Sequence, residues 1–309
     1  MKTRLRPYQT ENDYWRIRNF LREVFLLNDR REHSWHVARL DYWRWHLILN
    51  CHVCDPVEEV TTLWETAGGQ IAAVLHPVDW GEVRLHVHPH FRTADLEGEM
   101  LAHAEEHLSD RNQAGKRFVY VPVFGDDAQR QQALAQRGYT KSSGSVHHWH
   151  RDLNAPILEA PVAPGYAIRS MGELDEHPAR SWASWRAFHA EEPVANYDGD
   201  WSWYQNLQSA PLYRRDLDIV ATASNGDIAA FCTMFYDDFT RSAVLVLVGT
   251  AAEHWRRGLG KAVLTEGLRR LQKMGCARAF ANAYDPPADA LYQSVLGTKE
   301  VSGTWFKEY

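Results

Sequence analysis

The chain has 309 residues and a formal net charge of −6, and this length favours two domains. Its 45% hydrophobic and 24% charged residues are typical of a soluble globular protein. The acidic balance disfavours a nucleic-acid partner, and four cysteines do not form a disulfide framework. The N-terminus lacks the features of a signal peptide and no apolar window could span a membrane, so we expect a cytoplasmic protein.

The first half of the chain predicts a mixed α/β unit. A short strand at Thr3 to Pro7 precedes a helix rich in Trp and Arg that ends near Phe25. Alternating apolar residues on both sides of Gly68-Gly69 predict a hairpin, because both turn positions need positive φ. The elements that follow are a strand at 83–87, an amphipathic helix around 96–108 and a strand at 118–123.

The same order of elements returns in the second half. A short strand, a helix carrying Trp182 and Trp185, and a hairpin at Asn225-Gly226 come first, and Ile-Ala-Ala opens the second strand of both hairpins. A proline-rich segment separates the halves and predicts a linker. We therefore predict a duplicated α/β fold with domains at 1–155 and 166–309 and a linker at 156–165.

The most informative segment of the second half follows the predicted strand Ala243 to Val248. There Arg256-Arg257-Gly258-Leu259-Gly260 opens an amphipathic helix. The first N–H groups of a helix lack partners, glycines allow close backbone approach, and arginines add charge, so this segment suits a pyrophosphate. Gly-x-Gly alone is also typical of a simple helix start; the preceding strand and the paired arginines favour anion binding.

At these residues the sequence resembles the GNAT superfamily of N-acetyltransferases, whose signature is a strand, Arg/Gln-x-x-Gly-x-Gly/Ala and a helix. Trp255 stands where that family has Arg or Gln. Downstream, Asp285 to Tyr292 resembles the family's Asn-x-x-Ala-x-x-Leu-Tyr, with Asp285 in place of Asn, and Thr298 replaces a usual Phe. The resemblance implies a mixed sheet flanked by helices, two tandem GNAT-like domains, and acetyl-CoA as co-substrate without a metal.

The resemblance also implies a set of site residues. The Val248 N–H would polarise the thioester carbonyl and Tyr292 would protonate the leaving thiolate. The general base does not follow from the motif; Glu191, Glu192, Asp237 and Asp238 are candidates, and we select Glu192. The predicted cofactor-binding residues are Val246, Val248, Thr250, Trp255, Arg256, Arg257, Gly258, Leu259, Gly260, Lys261, Asp285 and Tyr292.

The first half has the same order of elements as the GNAT superfamily but lacks the residues of its motifs. Its turn, His88 to Asp95, has no Gly-x-Gly, and Leu134 stands at the position of Tyr292. We therefore predict that the N-terminal domain is a degenerate, non-catalytic copy.

The predicted activity is acetyl transfer to a primary amine of a small molecule, by direct attack in the C-terminal domain. The aromatic segment Tyr197 to Tyr204 would line the acceptor site or simply pack as a helix. Two alternatives stay open, a non-catalytic acyl-CoA-binding module and a protein Lys or N-terminal acetyltransferase. We expect neither a nucleic-acid nor a membrane partner, and the oligomeric state is not predicted.

Overall fold

The computed structural model describes residues 2–309. The strands are β1 Arg4–Pro7, β2 Thr62–Glu65, β3 Ile71–Pro77, β4 Val83–Val87, β5 Asp110–Arg111, β6 Arg117–Phe124, β7 Thr140–Asp152, β8 Tyr166–Ser170, β9 Asp218–Ala223, β10 Ile228–Asp237, β11 Ser242–Thr250, β12 Arg278–Ala283 and β13 Thr298–Glu308.

The helices are α1 Glu11–Leu27, α2 Val37–Tyr42, α3 Leu49–Cys51, α4 Val57–Val60, α5 Ala94–His107, α6 Ala128–Gln136, α7 His177–Phe188, α8 Ser202–Gln208, α9 Leu259–Lys273 and α10 Pro286–Val295. A π-helical segment, Trp43–Ile48, joins α2 to α3. Among the described residues, no helix combines the length and the apolar run that a membrane crossing requires.

The chain divides into two units, one of residues up to 147 together with 300–309, and one of residues 148–299. These limits differ from the predicted boundaries at 155 and 166, and residues 156–163 contain no helix or strand. The reason is strand pairing, since Ser302 to Glu308 of β13 pairs antiparallel with Phe118 to Phe124 of β6. Local periodicity does not reveal a partner strand so distant in the chain.

The N-terminal unit contains an antiparallel sheet in the order β1-β2-β3-β4, and the antiparallel set β5-β6-β13. Its core joins apolar residues of α5 and α6 to those of β3, β4 and β6. In α5, Leu96, Met100, Leu101 and Ala104 are buried at helical spacing, as the sequence predicts.

The C-terminal unit contains a mixed sheet in the order β12-β11-β10-β9-β8, in which β11 and β12 are parallel and the other pairs antiparallel. Alternate β10 residues face opposite sides: Cys232 and Met234 lie in the core beneath α9, whereas Phe231 and Thr233 contact Arg180 of α7. Gly267 lets α9 approach, because a Cβ there would lie 2.3 Å from Met234 Cε. The predicted fold class, a mixed α/β sheet flanked by helices, is confirmed.

Candidate functional site

The parallel strands β11 and β12 separate towards their carboxyl ends. Their paired residues are Ser242 to Val244 with Arg278 to Phe280 only, although β11 continues to Thr250 along β10. The β10 register shifts between Thr233 and Met234, which oppose Leu247 and Leu245 and leave Val246 as an extra residue. The edge of β11 from Val246 to Thr250 is therefore left uncovered by β12.

The turn that leaves β11 has two residues in the left-handed region. Arg256 has φ 62° and Gly258 has φ 75°, the latter immediately before α9. The Trp255 indole N–H donates to the Thr250 carbonyl at 2.7 Å and so closes the turn. A left-handed arginine costs of order 1–3 kcal/mol, which tertiary contacts must offset, whereas glycine adopts this conformation without a Cβ clash.

The start of α9 presents free main-chain donors. The first N–H to find a helical acceptor is that of Ala262, which donates to the Gly258 carbonyl at 3.0 Å. In the described chain, the N–H groups of 256–261 have no backbone or side-chain acceptor, and the first turn of α9 carries no acidic residue. Because Arg256, Arg257 and Lys261 are exposed here as well, the end of this helix can hold an anion.

The second wall of this region is the N-terminal part of α10. The Asp285 carboxylate accepts from the Ala288 N–H at 2.7 Å, which confirms the expected N-cap. A Cβ on Gly260 would lie 3.4 Å from both Leu291 Cδ2 and Thr250 Oγ1, so α10 packs directly on the start of α9. Tyr292, one residue after Leu291, is 7% exposed within the core that contains α9.

Comparisons with known proteins agree with this geometry. Residues 180–298 match the acetyltransferase (GNAT) family. The matched residues lie within the C-terminal unit and make up less than half of the chain. The match supports acyl transfer as the general class of chemistry, and the separated strands, the glycine turn and α9 all lie inside the matched segment. No curated protein matched the chain in a search of such proteins.

Solved structures resemble the whole chain at low sequence identity. A tandem GNAT protein from the clavulanic acid biosynthesis pathway matches at 14% identity and TM-score 0.68, covering 99% of this chain and 98% of that one. A GCN5-related N-acetyltransferase from Sphaerobacter thermophilus matches at 16% identity and TM-score 0.64, covering 99% and 95%. A GNAT-family acetyltransferase from Colwellia psychrerythraea matches at 12% identity and TM-score 0.59, covering 99% of both chains. The tandem GNAT arrangement is thus confirmed at the level of the fold.

The carboxylates considered as general base lie in different places. Asp237 is buried and its carboxylate accepts from the N–H and hydroxyl of Thr240, where it holds the turn between β10 and β11. It pairs with Ser242, at the opposite end of β11 from Thr250 and roughly 25 Å away at strand spacing. Asp238 follows in the same turn. The hairpin therefore places these two candidate bases at the end of the sheet far from the uncovered edge of β11.

Glu192 lies in the exposed loop after α7. Its carboxylate contacts His189 Nδ1 at 2.7 Å, and the hydrogen bond from His189 and then that from Asn196 lower the pKa of Glu192. The stacked ring of Trp185 supports His189, with centroids 5.9 Å apart. The pair therefore presents an imidazole backed by a carboxylate.

A series of side-chain contacts, from Gly249 through Phe231 to Arg180, lies behind the uncovered edge of β11 and was not predicted from the sequence. We call it the contact chain. A Cβ on Gly249 would lie 2.4 Å from Phe231 Cζ and 2.8 Å from the Ala187 Cβ, so α7 and β10 press on the strand. The Arg180 guanidinium lies 3.6 Å from the centre of the Phe231 ring. Gly249 directly follows the predicted strand Ala243 to Val248 and lies inside the observed β11, where a glycine commonly marks close approach of another group.

A buried acid, Asp218 of β9, anchors the far end of this chain. It accepts from the hydroxyls of Thr233 at 2.8 Å and Tyr213 at 3.1 Å, and also from Tyr204. The buried Tyr204 of the predicted aromatic segment thus packs inside the domain, whereas the Tyr197 ring contacts Trp182 edge-on and Trp185 at a tilt, both on α7. Only part of that segment is available to line an acceptor site.

His254, beside the glycine turn, has a structural contact, since its Nδ1 lies 2.9 Å from the Tyr166 hydroxyl. Among the described residues, no group of three or more His, Cys, Asp or Glu side chains is arranged to hold a metal ion.

The corresponding turn of the N-terminal unit is filled by its own side chains. Arg92 donates to Glu97 at 2.5 Å and to Asp127 at 2.6 Å, and Arg130 donates to Glu97 at 3.1 Å. The Thr93 hydroxyl caps α5 by accepting from Leu96, whereas Gly258 offers α9 no side-chain cap. The starts of α5 and α9 therefore differ as anion sites, because the Glu97 and Asp127 carboxylates already bind the arginines at the start of α5.

Proposed function

We propose that the C-terminal GNAT domain transfers an acetyl group from acetyl-CoA to the primary amine of a small molecule. The observation that carries this proposal is the set of free N–H groups at 256–261, beside the uncovered edge of β11. No acidic side chain competes for these donors in the first turn of α9. A diphosphate suits them in charge and in hydrogen-bonding capacity.

The remaining cofactor-binding residues extend from this anion site along β11. Arg256, Arg257 and Lys261 add positive charge around the N–H groups of Gly258, Leu259 and Gly260. The main chain of Val246, Val248 and Thr250 offers amide partners to a pantetheine arm, Trp255 holds the turn, and Asp285 and Tyr292 line the α10 side. The free N–H donors before α9 and the gap between β11 and β12 therefore fit acetyl-CoA, the co-substrate that the GNAT family uses.

When bound, acetyl-CoA supplies a thioester whose carbonyl carbon is open to attack by an amine. The Val248 N–H is the proposed donor to the carbonyl oxygen, where negative charge develops. Tyr292 is the proposed proton donor to the departing sulfur. Both roles would use groups held by packed strands and helices, so little reorganisation is needed at the moment of reaction.

For removal of the amine proton we propose that Glu192 acts through His189. A lowered pKa makes the Glu192 carboxylate a weak base, but it can orient the imidazole through the 2.7 Å contact with Nδ1. The Nε2 atom of His189 is then the proton acceptor. Ala187, two residues before His189, contacts Gly249 on the uncovered strand, which supports this location for the base.

The binding step is tested by calorimetry with acetyl-CoA on the wild type and on Gly260→Glu. The new side chain would place a carboxylate at the start of α9 and crowd Leu291 and Thr250, so we expect binding to fall by at least about tenfold. The matched control is Gly98→Glu in α5, where an added Cβ meets nothing within 4 Å. Undetectable binding to the wild type would remove the assignment.

The chemical step is tested by CoA release on adding acetyl-CoA with a panel of primary amines. Tight binding without turnover on any amine or basic peptide would favour the alternative, an acyl-CoA-binding module. For the base, His189→Asn and Glu192→Gln should both reduce turnover, and Glu192→Gln should also displace the acidic limb of the pH–rate profile. Unchanged profiles in both variants would remove this pair from the mechanism.

We also propose that the N-terminal unit does not bind acyl-CoA. Glu97 and Asp127 already neutralise Arg92 and Arg130 at the corresponding helix start, and Leu134 replaces the tyrosine. One molecule of acetyl-CoA per chain in the same calorimetric titration supports this; two would contradict it.

A further inference from the structure

A cavity of ligand size lies within the N-terminal unit. It has a volume of about 540 Å³ and opens between the segment after α3, the β3–β4 turn and the end of α5. Small-molecule sites commonly have volumes of about 300–1,000 Å³. The cavity adjoins the turn at Asp79 to Gly81, at the end of β4 opposite to the His88 turn, so it is not the counterpart of the acyl-CoA site.

The wall of this cavity is acidic. Asp55, Asp79 and Asp110 line it, together with His52 and His107, and none of the lining residues is Lys or Arg. Asp55 and Asp79 have no hydrogen-bond or ion-pair partner for their carboxylates among residues 2–309. Burial, followed by the charge of Glu82, raises the pKa of Asp79, and the charge of Arg84 offsets part of this rise.

Arg84 and Arg117 of this unit have partners of their own. Arg84 contacts the Glu82 carboxylate at 2.7 Å. Arg117 donates to the Ser109 hydroxyl at 2.7 Å and to the Glu106 carbonyl at 2.6 Å. Among the described residues, no lysine or arginine forms an ion pair with the Asp55, Asp79 or Asp110 carboxylate.

An aromatic ring stands at the rim of the cavity. Trp80 is 77% exposed and lies between the lining residues Asp79 and Gly81. The face of this indole is accessible to a ligand in the cavity, and an indole face attracts cations. The wall thus combines negative charge with an aromatic surface, and both features attract the same kind of ligand.

We propose that this cavity binds a small organic cation through its ammonium group, with Asp55 and Asp79 as counter-ions and Trp80 as the aromatic surface. A cavity of this volume suits a molecule rather than a bare metal ion, and no metal-binding group of side chains exists among the described residues. The site is separate from the proposed acyl transfer and does not depend on it.

The test uses choline and its uncharged isostere 3,3-dimethylbutan-1-ol with the full-length protein. Choline has no N–H to acetylate, and the cavity variants distinguish binding at this site from binding at the proposed acceptor site of the other unit. Calorimetry should detect saturable choline binding, with the neutral alcohol at least about tenfold weaker, because the isostere lacks both charge–charge and cation–π attraction.

Asp79→Asn and Trp80→Ala should each weaken choline by about tenfold, and Asp238→Asn, which removes the same charge from an exposed turn of the other unit, should not. Thermal melting of each variant checks that the fold is kept. Equal binding of the two isosteres, no saturable binding of choline, or preferential binding of Mg²⁺ would overturn the proposal.

Discussion

Gly258 and Arg256 hold the turn before α9 in the left-handed region, and this local geometry leaves the N–H groups at the start of the helix free. The departure at Trp255 from the family's usual Arg or Gln has a structural use, because its indole closes the turn on Thr250. Tryptophan at this position therefore replaces the side-chain contact that Arg or Gln would offer to a bound cofactor, but it leaves the main-chain N–H donors of residues 256–261 in place.

Tyr292→Phe provides a test of the proposed proton donor. Loss of one hydroxyl from a side chain that is otherwise well packed should leave acetyl-CoA affinity nearly unchanged and lower turnover by about a hundredfold, the lower range for general acid catalysis. Steady-state kinetics with calorimetry measures both. Tyr284→Phe, at a 77% exposed tyrosine just before Asp285, is the matched control. Equal turnover in both variants would exclude Tyr292 from the reaction.

A pair of buried imidazoles in the N-terminal unit gives a pH prediction. His86 Nδ1 accepts from the Trp35 N–H, and His76 Nδ1 donates to the Pro77 carbonyl at 2.8 Å. The proton of the 3.0 Å contact between the two Nε2 atoms therefore lies on His86 Nε2, which donates to His76 Nε2. Both rings are then neutral. Burial lowers the pKa of His76 to about 4 and that of His86 well below its ordinary value.

As the pH falls, a histidine with a lowered pKa in the folded protein is protonated first in the unfolded chain. Its contribution to the free energy of unfolding is therefore complete above the unfolded pKa and is lost as the pH falls towards the folded pKa. For His76 this window runs from about 6.5 down to about 4. Urea unfolding at several pH values should show acid destabilisation that His76→Gln reduces, whereas His107→Gln, at an exposed position, leaves it unchanged. The same pH slope in wild type and His76→Gln would contradict this account.

At the scale of elements, the position of β11 depends on what packs behind it. Phe231 of β10 lies between Gly249 and the Arg180 guanidinium, and Asp218 anchors the cluster through Thr233. We infer that this contact chain keeps the uncovered edge of β11 in place, because neither α7 nor β10 can move without disturbing a buried charge.

Gly249→Ala tests the packing behind β11. The added Cβ would lie too close to Phe231 and Ala187, so we expect a loss of about 1–3 kcal/mol in the free energy of unfolding and weaker acetyl-CoA binding. Gly98→Ala, in a helix with open space, should be neutral or stabilise by about 0.5–1 kcal/mol. Denaturant unfolding and calorimetry measure both effects. Equal responses at the two glycines would show that Gly249 is not tightly packed.

At the scale of the whole molecule, the end of the chain belongs to the N-terminal unit. Residues 300–309 group with that unit, and β13 covers one edge of β6 from Phe118 to Phe124. Tyr309 and Arg117 also exchange backbone hydrogen bonds at 2.9 and 3.0 Å. The N-terminal unit therefore includes a strand from residues that are distant from it in the sequence.

A chain that ends at Lys299 should consequently lose stability in its N-terminal unit, because β6 would expose an unpaired strand edge. Hydrogen exchange at residues 118–124 should become faster than in the full chain. The control is Lys307→Ala, which keeps the strand and removes the ion pair with Glu105 together with the Lys307 contacts to the Tyr139 and Tyr309 rings. Unchanged protection of β6 after truncation would contradict the pairing.

The sequence by itself determined the mixed α/β class, the tandem arrangement, the two glycine-marked hairpins and the helix opened by Gly258, since turn chemistry and helical periodicity are local properties. The Asp285 cap was likewise readable from one residue type at one position. Tertiary structure alone decided that β13 pairs with β6, that Asp237 lies at the far end of β11, and that Phe231 packs on Gly249. These depend on which distant strands and faces meet, and one sequence does not specify such contacts through local patterns.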